Sequence, residues 1–383
     1  MEPVTHFLTG ACLGRSGFNR TTAYATLTMV LAAEAPDIDM FWGLRGPVAE
    51  FQHHRGVTHT FLGAPFMALF ITGLVWLWHR WRTRGSDKHP PQIAATAPNR
   101  SHYEPPVRWA WVWFLALVAD LSHLLLDWTN NYGLRPFFPF NPHWYAGSIF
   151  FIFEPVFFAG LLLALVMPAV LGLADREIGV RRPLLRGRGW AIFALTLGLA
   201  LGCWRWAEHD RALELLAQQN FQNESVLKMT VNPYPVDVFK WFGVVETKDF
   251  YQTGILNTRT DSFTSETPED FYYKQPQTPA TLAAKRSWLG KEFLDWSSYP
   301  YVVQAGTFDT RNDRFNYTLV QFEDLRFAYN VLFLHGRHDN PLGGTVTIAP
   351  DGSVDEMRMN GRIQKELQLR LGPPARSYYP GNN

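Results

Sequence analysis

Apolar residues along this chain fall into a few long runs and then stop. Four runs approach or exceed the ~20 mostly apolar residues a helix needs to cross a bilayer. They are Phe61–Trp78, Val107–Leu126, Ile149–Ala174 and Trp190–Ala207. Two shorter stretches, Val4–Leu13 and Thr22–Ala35, precede them and predict partial spans or helices packed inside a bundle. Trp and Arg gather at the ends of the runs, which favours membrane helices over the buried helices of a large soluble core. Beyond Ala207 the pattern changes. A polar helix is predicted over roughly Glu208–Asn220. Short runs rich in Val, Phe, Tyr and Thr follow: Val226–Val231, Phe239–Thr247, Tyr301–Ala305, Arg314–Phe322 and Gly344–Ile348. Their length and content fit strands, and Asp351-Gly352 marks a hairpin turn. Asp261–Thr278 reads as a polar loop, and the residues from Gly372 onward as a frayed tail. The predicted fold is an α-helical integral membrane domain over residues 1–207, with four long spans plus two short N-terminal helices. A soluble β-rich (α+β) domain follows over residues 208–383.

Charge sharpens this division. The 383 residues carry 35 Lys and Arg against 34 Asp and Glu, so a strongly basic nucleic-acid binder is excluded and no nucleic acid is expected as a partner. Up to Ala207 there are 17 basic and 12 acidic residues; beyond it there are 18 and 22. Two cysteines exclude a disulfide scaffold and a Cys-rich zinc module. The start, Met1-Glu2-Pro3, lacks the basic region of a secretory signal, so the first helices are expected in the mature protein. Positive charge sets the orientation. Arg80, Arg82, Arg84, Lys88, Arg100 and Arg108 follow the first long run, and five arginines from Arg176 to Arg188 follow the third. Both loops read as cytoplasmic, with Arg15 and Arg20 on the same side. Asp127–Ser148 holds only Arg135 and reads as outside. An even number of crossings then places the second domain outside as well.

An ionisable side chain in a membrane segment is costly and marks function by default. The candidates are His6, Asp37, Asp39, His54, His59, His123, Asp127 and Glu154. His123 and Asp127 are four apart and share one helix face. Gly56 suggests a turn between His54 and His59, and Pro36 ends the short helix before the aspartates. In the inferred orientation all these groups fall at the outer boundary, although the charge rule made no use of them. Imidazole and carboxylate donors suit zinc, with manganese or iron as alternatives, and more than four of them suggest two or three ions. Asp120 is placed to support an imidazole. His53 is expected as a neighbour, and His335 and His338 as surface residues.

Taken together, Thr5-His6, Pro36-Asp37-Ile38-Asp39, His54-Arg55-Gly56-Val57-Thr58-His59, Ser122-His123 with Asp127, Tyr132-Gly133 and Pro136–Phe140 resemble the YdjM-like family of bacterial inner-membrane metal-dependent hydrolases. The resemblance covers roughly Met1 to Ala174. An Asp-Pro commonly opens the next span in that family; here it is Glu154-Pro155. The ligand types are also similar to those of zinc-dependent phospholipase C, an analogy of donors and not of fold. The family implies a membrane-bound, metal-dependent hydrolase.

The expected activity is hydrolysis at the outer headgroup layer, on a phosphoester or another lipid-headgroup bond. His6, Asp37, Asp39, His54, His59, His123 and Asp127 are the expected ligands. Glu154, or one of the paired aspartates, would be the base, and Arg55 would stabilise developing negative charge. The bilayer and a lipid or lipid-linked substrate are the expected partners; the second domain names no protein partner. Two alternatives remain open at this stage. One is a non-catalytic membrane-anchored binding or sensor protein with a structural metal site. The other is a transporter, which the clustering of ionisable groups at one boundary disfavours.

Overall fold

The computed structural model describes residues 1–84, 105–177, 187–265, 270–310, 313–329 and 342–364. The chain gathers into two compact units. One comprises Met1–Ile38 and Arg55–Ala207, the other Asp39–His54 and Glu208–Asn383.

The first unit is helical. Helix α1 (Pro3–Arg15) opens with Pro3 in its first turn, and the Glu2 carboxylate accepts the Thr5 N–H at 2.9 Å. Both features suit a helix start, where backbone N–H groups lack partners. Helix α2 (Ala25–Glu34) crosses α1 at close range. A Cβ on Gly10 would stand 2.6 Å from the Met29 carbonyl oxygen, so only glycine permits this approach. Helices α4 (Gly63–Thr83) and α5 (Trp109–Trp128) pack on α2 through a seam that includes Ala32, Met29, Ala68, Val112 and Ala116. Small residues of this kind bring helices together in lipid, where apolar burial alone gives no drive. Helices α6 (Pro155–Glu177) and α7 (Arg188–Ala217) complete the set.

Three of these, α5, α6 as far as Leu173, and α7, are long and apolar enough to cross a membrane; α4 with the helical segment before it raises the number to four. Leu69, Leu77, Leu125, Leu163, Leu173 and Leu199 all lie exposed. A surface so rich in large apolar side chains exceeds what a soluble monomer leaves to water, and it suits lipid. One expectation needs correction. The last run and the polar helix after it are a single helix of 30 residues. Glu208–Ala217 contains neither Gly nor Pro to break it, and Ala212 and Leu216 on its final turns are buried with Val231, Trp241 and Leu256.

The second unit holds two antiparallel sheets. Strands β1 (Lys228–Pro233), β2 (Lys240–Glu246), β3 (Phe250–Asn257) and β4 (Ser262–Thr264) pair in that order, and β5 (Phe271–Tyr273) also pairs with β3. Strands β6 (Pro300–Thr310), β7 (Asp313–Asp324), β8 (Gly344–Ile348), β9 (Val354–Met359) and β10 (Arg362–Ile363) form the other sheet in sequence order. The β8–β9 connection turns at Gly352 with φ +83°, as the Asp-Gly pair predicts. The predicted loop at Asp261–Thr278 contains two strands of three residues each, too short to stand out in a polar sequence. Between the sheets in sequence, Thr278 and Ser287 cap α8 (Pro279–Arg286) and α9 (Trp288–Trp296). Phe293 of α9 packs on Phe322 of β7 with ring centroids 5.6 Å apart.

Residues 39–54, including helix α3 (Pro47–His53), belong to this unit through specific contacts. Phe51 meets Trp296 edge-on at 5.3 Å and stacks on Phe293 at 6.1 Å. The Gln364 side chain accepts the Val48 N–H at 3.0 Å and donates to the Arg45 carbonyl at 3.0 Å. A buried ion pair lies at the end of β7. Asp324 faces Arg326 at 2.8 Å and accepts from the Ser297 hydroxyl at 2.6 Å. Burial opposes the Asp324 charge, but Arg326 and these hydrogen bonds outweigh it and hold the carboxyl below its usual range. His335, His338 and the tail from Gly372 lie outside the described residues.

Candidate metal centre

Asp37 enters the site from the start of the 3-10 segment Ala35–Arg45, His59 from the 3-10 turn Val57–His59, and His123 and Asp127 from the last two turns of α5. Asp37 sits where α2 has given way to a 3-10 segment at Pro36. His59 closes the turn Val57–His59, which packs tightly on the start of α4: a Cβ on Gly63 would lie 2.2 Å from the Val57 carbonyl oxygen. The i,i+4 spacing on α5 brings His123 Nε2 to 3.4 Å from Asp127 Oδ2.

Ligand atoms of these four residues all lie within 4.8 Å of one another. The two imidazole Nε2 atoms are 3.1 Å apart. His59 Nε2 is 3.4 Å from both Asp37 Oδ1 and Asp127 Oδ2. His123 Nε2 is 3.6 Å from Asp37 Oδ1. A tetrahedral zinc with bonds of ~2.0–2.1 Å sets its donor atoms ~3.3–3.4 Å apart. Five of the six separations bracket that value and the sixth, between Asp37 and Asp127, is within 4.8 Å, so this donor set can hold a single four-coordinate ion. Proton placement agrees. His123 Nδ1 lies 2.7 Å from the Ala33 carbonyl oxygen, which accepts its N–H and leaves the Nε2 lone pair toward the cluster. His59 Nδ1 meets the Thr58 hydroxyl at 3.1 Å, a group able to accept from it or donate to it. Two lone pairs facing each other at 3.1 Å repel unless a cation or a proton lies between them.

The electrostatics are arranged around Asp127. Its Oδ2 faces the two imidazoles, while its Oδ1 meets Arg55 Nη2 at 2.9 Å, His6 Nε2 at 3.3 Å and the Met1 amino group. Arg55 is itself fixed by the Asn130 side chain at 3.1 Å and the Gly133 carbonyl at 2.9 Å, with its guanidinium over the Tyr132 ring. Burial works to raise the Asp37 carboxyl, but His59 and His123 beside it hold it down to about 2. Asp37 therefore presents an anion. It is also the open edge of the site, with its side chain 20 % exposed against 0–1 % for the other three.

The other candidates take different places. His6 stacks on His123 at 3.8 Å but reaches only Asp127 Oδ1, and both its ring nitrogens lack a hydrogen-bond partner among the described residues. Asp39 and His54 face each other at 3.4 Å within the second unit and are not members of the four-residue set. Their grouping follows from the contacts of Phe51 and Gln364, which bind residues 39–54 to that unit. His53 stacks on Trp42 at 3.9 Å. Glu154 is buried at the entry to α6 in an ion pair with Arg205 at 2.9 Å, so its charge is matched by α7. Asp120 is fully buried, and neither carboxylate oxygen has a hydrogen-bond partner among the described residues.

Two participants were not read from the sequence. Arg205 carried a signal: a cation inside an apolar run calls for a partner. Asn130 carried none, because a polar residue just past a helix end is ordinary.

The family model described as YdjM inner membrane protein matches residues 1–212, a span that contains every residue of the cluster. An uncharacterized protein of Bacillus subtilis (strain 168), YfhP, is 25 % identical over 175 residues, covering 44 % of this chain. The chain spans about half the length of that relative, 46 %. No solved structure matches.

Proposed function

Because the chain belongs to the YdjM inner membrane protein family and its matched region carries a four-donor cluster, we propose that it is a membrane-bound, metal-dependent hydrolase acting on a phosphoester of a lipid headgroup. The observation that carries this reading is the close spacing of the Asp37, His59, His123 and Asp127 donors at the end of a spanning helix. Asp37, His59, His123 and Asp127 would hold the ion, with zinc the best match to two imidazoles and two carboxylates. When bound, such an ion lowers the pKa of water and polarises the scissile group.

The chain's own residues do the rest. Arg55, expected to meet substrate, is 5 % exposed and committed to Asp127, Asn130 and Gly133. It acts as a positioning residue that fixes which Asp127 oxygen faces the imidazoles. Glu154, expected as a base, is held by Arg205. The base role passes to Asp37, the most exposed carboxylate of the set, which would take the proton from attacking water. The distribution of arginines supports placing this end of the bundle, and the second unit, on the outer side of the inner membrane.

The test is elemental analysis of protein purified in detergent without chelator, followed by a panel of phospholipids assayed for headgroup release. Wild type should retain stoichiometric metal and release a phosphate-bearing product. The His123→Ala/Asp127→Ala double variant should do neither while remaining in the membrane. Full activity in the double variant, or no metal in either protein, refutes the proposal.

A further inference from the structure

At the other end of the bundle lies a second, separate opening. It forms where α2 begins, α4 ends and α5 begins, and it encloses about 780 Å³. Thr22, Thr26, His79, Arg82 and Thr83 are among the residues lining it, and no Asp or Glu is among the described lining residues. Helix α2 adds to the positive character. Its first helical hydrogen bond runs from the Thr28 N–H to the Tyr24 carbonyl at 2.8 Å, and no side chain caps the preceding turn. Tyr24, in the left-handed region at φ +65°, turns the chain so that Ala25, Thr26 and Leu27 line the opening. The first turn of α2, a guanidinium and an imidazole thus line one polar cavity. His79 is oriented by the Tyr24 hydroxyl at 3.1 Å and by the edge of Trp109.

What singles out the occupant is the neighbouring groove. Leu27 lines this cavity and also a wholly apolar groove of about 300 Å³, shared with Leu31, Leu74, Val75 and Trp78. Leu27 and Leu31 lie one turn apart on α2, and Leu74 and Trp78 one turn apart on α4. A polar cavity thus borders, at Leu27, an apolar groove lined by two helices. From Trp109 to Asp127 along α5 is roughly 27 Å at 1.5 Å per residue, so this feature is distinct from the metal cluster. Basic pockets between membrane helices are where acidic headgroups bind.

We propose that this composite site binds one anionic glycerophospholipid, with its phosphate at Arg82, His79 and the first turn of α2 and an acyl chain along Leu27, Leu31 and Leu74. The proposal is independent of the hydrolase reading, because it uses none of the cluster residues.

Native mass spectrometry of the full-length protein released from nanodiscs of phosphatidylglycerol and phosphatidylcholine tests it. Wild type should retain one phosphatidylglycerol in preference to phosphatidylcholine. Arg82→Ala should weaken retention by about fivefold, the worth of one arginine near an anionic headgroup. Leu31→Trp, which fills the groove without touching the charges, should also displace the lipid. Arg80→Ala is the control, since Arg80 lies over the Trp76 ring on the same helix and should retain lipid as wild type does. Circular dichroism checks that each variant folds, and Leu31→Trp keeps the test intact if Arg82→Ala does not. In a parallel arm, delipidated protein is titrated with inorganic phosphate. Phosphate binding as tight as lipid binding and unaffected by Leu31→Trp would identify a free-anion site and overturn the lipid assignment. Equal retention of both lipids, or equal loss in Arg80→Ala and Arg82→Ala, would also overturn it.

Discussion

The donor set at the end of α5 makes a graded prediction about metal affinity. Structural four-donor zinc sites bind with ~10–16 kcal/mol, so each donor contributes roughly 3–4 kcal/mol when the load is shared. Alanine at Asp37, His59, His123 or Asp127 should therefore weaken zinc binding by about 10²- to 10³-fold. His6 stacks on the His123 ring, and its Nε2 faces Asp127 Oδ1, the oxygen that does not face the imidazoles. His6→Ala and Arg55→Gln should each cost about 10- to 100-fold, the range for groups that orient a ligand. Glu154→Gln, with its charge matched by Arg205, should leave affinity within about twofold. The assay is competition against a zinc-responsive dye at fixed pH in detergent, with circular dichroism to confirm helicity. The ordering is the informative part. If His6→Ala costs as much as His123→Ala, His6 is a direct ligand and the four-donor assignment fails. If His123→Ala binds zinc as wild type does, no site exists at this place.

Other outcomes follow from the buried charges and close approaches. Glu154→Gln should lower the melting temperature of the protein, because leaving Arg205 buried and unmatched costs about 3–5 kcal/mol; Glu154→Leu combined with Arg205→Leu should recover most of the loss. Asp324 is held below its usual range in the fold, so its stabilisation is complete above the unfolded carboxylate value near 4 and fades as pH falls through the folded value. Asp324→Asn should therefore destabilise the second unit at pH 7, and the difference from wild type should shrink as the medium is acidified, read by hydrogen exchange on β6 and β7. Gly10→Ala pushes a Cβ to 2.6 Å from the Met29 carbonyl and 2.8 Å from the Ala33 Cβ. Overpacking of this kind costs about 1–3 kcal/mol, and because the Ala33 carbonyl orients His123, zinc affinity should fall in the same variant.

The helical half of this fold is written plainly in the chain. Apolar runs long enough to cross a bilayer leave little else to become, and the observed helices overlap all four. Where local pattern and tertiary contact part company, the sequence is silent. Residues 39–54 sit between two stretches of the first unit, and contacts such as those of Phe51 and Val48 decide their company, through partners more than 200 positions away. Continuity of α7 past Ala207 was legible in the absence of Gly and Pro, but the change from apolar to charged residues suggested a break. The site divides in the same way. The i,i+4 pair His123 and Asp127 can be read from spacing alone. The pairing of Glu154 with Arg205, 51 positions later, leaves no local trace.

The chain leaves the first unit after Ile38 and re-enters it at Arg55, and Asp37 and His59 stand just inside those two crossings. Both donors face the same point, so an ion held there would fasten the two ends of the excursion together like a clasp on a strap. The entropy of closing a flexible loop grows only logarithmically, by about 0.6 kcal/mol for each doubling of its length. What lies between the clasped ends is then nearly free to vary. A longer or shorter excursion would change little at the ion, and the second unit can be remodelled over evolutionary time without disturbing the donors that bracket its entry.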